Sequence, residues 1–149
     1  SGMRMTHVPY KGIAPAMTAM LGGETDVTFP AVLSGLQHFK GGRLKALAIA
    51  SRNRYPGLKE VPHAGEAGLK GFEIDYWYAV LGPAGLPGPI LEQLQREISA
   101  IVNAPEMKES LLSQGSIAIG SGAEELSARI RNDYELWSKV VKTGGVKVE

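Results

Sequence analysis

Val8-Pro9-Tyr10-Lys11-Gly12-Ile13-Ala14-Pro15-Ala16 is the stretch whose reading decides the fold. A strand-like run, Thr6 to Tyr10, reaches a glycine and turns into a helix. Pro15 falls in the first helical turn, where a missing N–H costs nothing. Met17, Met20 and Leu21 give the helix an apolar face, and Gly22-Gly23 stop it. Asp26 to Phe29 reads as a second strand. Val32, Leu33, Leu36 and Phe39 form the next helical stripe, ended by Gly41-Gly42. Leu44 to Ala50, apolar except for Lys45, reads as a strand covered on both faces, as in a parallel sheet. The alternation of strand and helix predicts an α/β fold with right-handed crossovers.

Beyond this unit the punctuation changes. Arg52 to Val61 reads as a polar loop, and Ala64 to Ala67 as one helical turn closed by Gly68. Phe72 to Leu81 reads as an aromatic strand. Gly82 to Pro89 is the densest run of chain breakers and reads equally as a hinge between lobes or as a long turn. The rest is mostly helical. Ile90, Leu91, Leu94, Ile98, Ile101 and Val102 recur at helical spacing. Pro105 starts a helix that Gly115 closes, and Ile117 and Ile119 alternate as in a short strand. Ser121 and Glu124 have capping-box spacing. The helix they open carries Leu126, Ile130, Tyr134, Trp137 and Val141 on one face, with Trp137 read as a core residue, and stops at Gly144-Gly145.

Composition removes several classes of function. Sixteen basic and fifteen acidic residues nearly cancel, so there is no electrostatic case for nucleic acid or for an anionic membrane surface. The absence of cysteine rules out a thiol nucleophile, a disulfide framework and a Cys-based metal site. No apolar run approaches the ~20 residues of a membrane-spanning helix, and no secretory leader is recognisable. Ser1-Gly2-Met3 reads either as a cloning scar or as native sequence. His7, His38 and His63 have no partners at metal-ligand spacing. A Gly-x-Ser-x-Gly elbow and the phosphate-cradling glycine motifs are missing. Glu124 and Glu125 are adjacent and point to different sides of their helix, so they are not an acid–base pair. Neither a catalytic residue, a metal nor a cofactor is expected.

The opening stretch carries specific chemistry. The first N–H groups of a helix lack internal partners and lie at the positive end of its dipole. A carboxylate can accept them, and the small residues Gly12, Ala14 and Ala16 let it approach. Phe29-Pro30-Ala31 forms a similar junction. Two such helix starts at one sheet edge would make a crevice beyond the carboxyl ends of the strands, the usual ligand site in open α/β sheets. The residues alone favour the plainer account, an ordinary strand–helix connection.

The ordered set of motifs then points to a family. His7-Val8-Pro9-Tyr10-Lys11-Gly12 with Ala14-Pro15-Ala16 and Leu21-Gly22-Gly23 resembles the tripartite tricarboxylate transporter receptors, also called the Bug family. The likeness continues through Asp26-Val27-Thr28-Phe29, Gly42 to Ala48 and Val61-Pro62. It runs on through Glu66 to Leu69, Gly71-Phe72-Glu73, Trp77-Tyr78, Gly82 to Gly85, Gln114-Gly115 and Trp137. The resemblance implies part of a type II periplasmic-binding-protein-like fold. One lobe is nearly complete, in residues 1–75, and residues 76–149 are the crossing strand and helical return segment of the other. It implies a periplasmic protein that binds a small carboxylate, without catalysis or cofactor, and meets the membrane permease subunits of a transporter.

The implied ligand-binding residues are Tyr10, Lys11, Gly12, Ile13 and Ala14, with Phe29, Pro30 and Ala31 at the second junction. Ile13 stands where the family usually has a small or hydroxyl residue, and Pro30 removes a backbone donor; both bear on which carboxylate is bound. Family members are about twice this length, so the resemblance implies a missing N-terminal part and apolar surfaces left uncovered. From this we expect a homo-oligomer. The competing readings are a remnant that oligomerises without binding ligand, and an α/β enzyme domain with an unrecognised site.

Overall fold

The structure is a computed structural model that describes residues 4–144. Ser1-Gly2-Met3 and the Gly145 of the expected helix stop lie outside the described residues. Five helices follow in chain order: α1 (Ile13–Gly22), α2 (Val32–Lys40), α3 (Gly88–Asn103), α4 (Pro105–Ser113) and α5 (Ala123–Gly144). All five occur where the apolar spacing and the Gly/Pro stops place them. α5 starts at Ala123, so Gly122 stands at its N-cap and accepts from the Leu126 N–H at 3.1 Å. The Ser121–Glu124 pair is thereby one residue out of capping register.

The strand segments behave differently. Among the described residues there is no strand ladder. The β pairing present is one isolated parallel bridge between Ile49 and His63, made by Ile49 N–H to Pro62 O (2.9 Å) and Ala64 N–H to Ile49 O (2.7 Å). Ile74 N–H adds a single bond to Ala50 O at 2.8 Å. Thr6–Tyr10, Asp26–Phe29, most of Leu44–Ala50, Phe72–Leu81 and Ile117–Ile119 therefore stand without a ladder. Apolar patterning suits a segment to a sheet, but a strand exists only where a neighbour exchanges N–H and C=O groups with it. Leu47, in the run read as covered on both faces, is 63% exposed.

The chain divides into two compact units. The first runs to Trp77 and takes in Glu109–Ile117 as well. Its core is Leu36, Tyr55, Leu58 and Val61, with Val32, Phe39, Ala46, Ile49 and Leu112 packed against it. Three of those four buried residues come from Arg52–Val61, the segment read as a polar loop. Two successive turns, Leu58 N–H to Tyr55 O and Val61 N–H to Leu58 O, both 3.0 Å, explain the difference. Bonds of i→i+3 type bring residues three apart onto one side, so Tyr55, Leu58 and Val61 face inward together while the intervening polar residues face water. Arg54 ties the outer side of the loop, donating to Glu66 Oε2 (2.8 Å) and to Lys59 O (2.7 Å).

The second unit comprises Tyr78–Lys108 and continues from Ala118, so the boundary between the units falls within α4. Ser99 on α3 donates to Gly120 O at 3.1 Å, which fixes the turn leading to α5. No side chain of α3, α4 or α5 is buried. Trp137, read as a core residue, is 43% exposed. The apolar stripes of these helices have the right spacing and remain largely uncovered among the described residues.

Candidate functional site

The start of α1 is built by Gly12. Its backbone has φ 105° and ψ 177°, a region open essentially to glycine alone. A Cβ at this position would meet nothing within 4 Å. Glycine is therefore required by the backbone conformation, and the space beside it is open. The Gly12 N–H donates to Tyr10 O at 2.8 Å, a tight turn that aims the chain into the helix. No side chain caps α1 and its first turn carries no acid. The N–H groups of Ile13 and Ala14 have no partner among the described residues, and Pro15 has none to offer. Lys11, Gly12, Ile13 and Ala14 are exposed, and Tyr10 is half-buried. The helix itself is anchored by buried Met17 and Ala19 and closed by Gly23, whose N–H and that of Glu24 cap Met20 O and Ala19 O. The result is a rigid helix presenting two unused donors, at the positive end of its dipole, next to a lysine.

The start of α2 is built otherwise. Phe29 is 57% exposed and its ring lies 6.0 Å from that of Phe72. Pro30 and Ala31 are half-buried. Gly115, from the end of the Glu109–Ile117 segment, lies against the first turn of α2. A Cβ at 115 would come within 2.7 Å of Leu33 N and 2.8 Å of Leu33 Cα. Both expected junctions are thus in the first unit, one open and one covered by the chain's own backbone. No hydrogen bond, ion pair or ring contact joins residues 10–14 to residues 29–31 among the described residues.

Nothing else in the described residues converges chemically. No group of three or more His, Asp or Glu is placed to hold a metal, and no helix is long and apolar enough to cross a membrane. Arg54, Glu66 and His63 form a cluster, with the His63 N–H donating to Glu66 Oε2 at 3.1 Å. The hydrogen bond from Arg54 holds the Glu66 carboxyl below its ordinary range, against a weaker opposing effect of desolvation. These groups staple a loop. Sequence reasoning missed Tyr55, whose buried phenol hydroxyl donates to Leu112 O. The spacing of Tyr55, Leu58 and Val61 by threes was the available signal.

Comparison with known proteins gives the family and the fold. The profile of the tripartite tricarboxylate transporter family receptors matches residues 1–146. A protein of Pseudomonas sp. strain P51, described as a UPF0065 protein in the tcbD-tcbE intergenic region, is 34% identical over 142 residues, which are 95% of this chain and 42% of that protein. Among solved structures, R. palustris Rpa4515 with adipate superposes with a TM-score of 0.89 at 28% identity, over 97% of this chain and 48% of that one. The periplasmic binding protein BugD gives 0.84 at 31% identity, over 99% and 50%. The chain therefore spans about half the length of these proteins, and along that half it follows the α/β fold of periplasmic binding proteins. Parallel pairing at Ile49 and His63 is the trace of that architecture within the chain.

Proposed function

The chain belongs to the tripartite tricarboxylate transporter receptor family, and from that premise we propose that it is the carboxylate-binding part of a periplasmic solute receptor, not an enzyme. The open start of α1 carries the reading. A ligand carboxylate there accepts the N–H groups of Ile13 and Ala14, which folding leaves unpaired, so binding displaces no internal bond. Gly12 holds the approach clear, and the Lys11 ammonium adds a charge at the rim. The Gly12 N–H, committed to Tyr10 O, acts by shaping the turn. Tyr10 offers a half-buried aromatic wall. Phe29, Pro30 and Ala31 offer apolar surface more than donors, because Pro30 has no N–H and Gly115 covers the helix start behind it.

The finer reading rests on the half-length match. Residues 1–75 are the lobe around the ligand and residues 76–149 the return segment of the other, apart from Glu109–Ile117, which pack with the first. The loaded receptor meets the membrane permease of a transporter. A carboxylate held by one lobe lacks the hydrogen bonds of the facing lobe. Two such bonds to a charged group contribute about 3–6 kcal/mol, on the order of a hundred- to ten-thousand-fold in affinity. This chain alone is therefore a weak binder, with a dissociation constant of roughly high micromolar or weaker where the intact receptor is submicromolar. The uncovered stripes of α3 and α5 favour self-association.

The test is isothermal titration with adipate, then with tricarboxylates and aromatic acids. Weak, saturable heat with at least one of them is expected. No binding of any carboxylate at millimolar concentration would overturn the receptor reading for this chain.

A further inference from the structure

The segment Glu109–Ile117 returns to the first unit after an excursion through residues 78–108, and Tyr55 fastens it there by a hydrogen bond. Tyr55 is 5% exposed. Its hydroxyl donates to Leu112 O, and Leu112 packs on the core around it. Burial raises the phenol pKa, while the backbone N–H of Gly115 acts in the opposite direction by favouring the phenolate. The phenol hydroxyl thus sits at the C-terminal turn of α4, on Leu112 O. That turn is closed by Gly115 N–H to Leu112 O (3.1 Å) and Ser116 N–H to Leu111 O (2.9 Å). Gly115, at φ +96°, is where the turn meets Leu33.

A chain so placed has a consequence for ligand choice. α1 and α2 both begin without a side-chain cap and without an acidic residue in the first turn. By sequence either start could take a carboxylate. In the structure the backbone at Gly115 lies against Leu33 N and Cα, which narrows the approach of a ligand to α2, and the bond from Tyr55 to Leu112 O helps hold it there. We propose that Tyr55 is a positioning residue of the receptor: it latches residues 109–117 over the start of α2, so that the ligand is directed to the start of α1 alone. The second half of this statement rests on the carboxylate reading given above; the latch itself does not.

The role is separable from simple packing. Tyr55→Phe keeps the buried ring and removes only the hydroxyl, leaving Leu112 O with the Gly115 N–H as its remaining partner. Amide hydrogen exchange followed by NMR is the first readout. In the unsubstituted protein the amides of Val32 and Leu33 exchange slowly, although they begin a helix. In Tyr55→Phe they and those of residues 112–116 exchange roughly five- to a hundredfold faster, while the amides of Met17 to Met20 keep their rates. Gly115→Ala, which leaves the hydroxyl in place but puts a methyl against Leu33, opens the same amides. Adipate titration is the second readout. It shifts the amides of Ile13 and Ala14 in the unsubstituted protein, and those of Val32 and Leu33 as well in Tyr55→Phe.

Fast exchange at Val32 and Leu33 in the unsubstituted protein refutes the latch, and this holds even if neither variant folds. Equal rates at these amides with and without the hydroxyl refute it too, as do adipate shifts at Val32 and Leu33 before any substitution. If adipate shifts no amide in any protein, the receptor reading falls for this chain, and the exchange rates still decide whether the latch exists.

Discussion

Ile13→Pro tests the ligand seat with little disturbance of anything else. Ile13 is the first residue of α1, the position where proline is best tolerated, because its fixed φ suits the helix and the N–H it lacks has no helical partner. Among the described residues the Ile13 N–H has no other partner either. The residue before a proline must be extended, and Gly12 at ψ 177° already is. The isoleucine side chain is 43% exposed, so its loss costs little packing, and stability should move by no more than about 0.5 kcal/mol. Binding should move much more. One hydrogen bond to a carboxylate contributes roughly 1.5–3 kcal/mol, so affinity falls about ten- to a hundredfold. Titration calorimetry with adipate, beside a thermal melt of each protein, reads both quantities. An unchanged melt with unchanged affinity would show that the carboxylate does not use the start of α1. Tyr10, Lys11 and Gly12 would then be a well-made turn and no more.

Three further outcomes follow from the same geometry. Leu36 is 2% exposed at the centre of the first unit's core, so Leu36→Ala should destabilise by about 2–5 kcal/mol, whereas Leu47→Ala, at a residue 63% exposed, should stay within about 0.5 kcal/mol. Urea midpoints check the pair, and equal effects would contradict the assigned core. The Glu66 carboxyl, held below its ordinary 4.5 by Arg54, helps stabilise the 52–66 loop at neutral pH, and that help is lost as pH falls below 4.5 through the lowered folded-state value. Carbon-detected NMR should find Glu66 titrating low and Arg54→Gln restoring it toward 4.5; a normal value in the parent protein would sink the assignment. Light scattering at tens of micromolar should find dimers or larger species, since no side chain of α3, α4 or α5 is buried, and a monomer free of aggregation would refute self-association.

What could be read from the residues divides along a physical line. Helices make their own hydrogen bonds, so local spacing and local stops place them, and α1 to α5 lie where apolar stripes and glycine or proline ends put them. Strands borrow their bonds from neighbours. Leu44–Ala50 and Phe72–Leu81 have the composition of strands, yet among the described residues pairing reaches only Ile49 with His63, plus the single bond from Ile74 to Ala50. The polar loop hid most of the core for a related reason: Tyr55, Leu58 and Val61 repeat every three residues, which is neither the α-helical nor the strand period. The site divides in the same way. The open start of α1 follows from one glycine and the two residues after it, and could be read locally. The closure of α2 depends on Gly115 and Tyr55, neither near Leu33 in sequence, and only the folded chain brings them together. Selectivity between two similar helix starts is thus a tertiary property of this chain. A motif search would score residues 29–31 as it scores residues 12–14, and exchange rates at Val32 and Leu33, with the amides that adipate shifts, tell the two starts apart in solution.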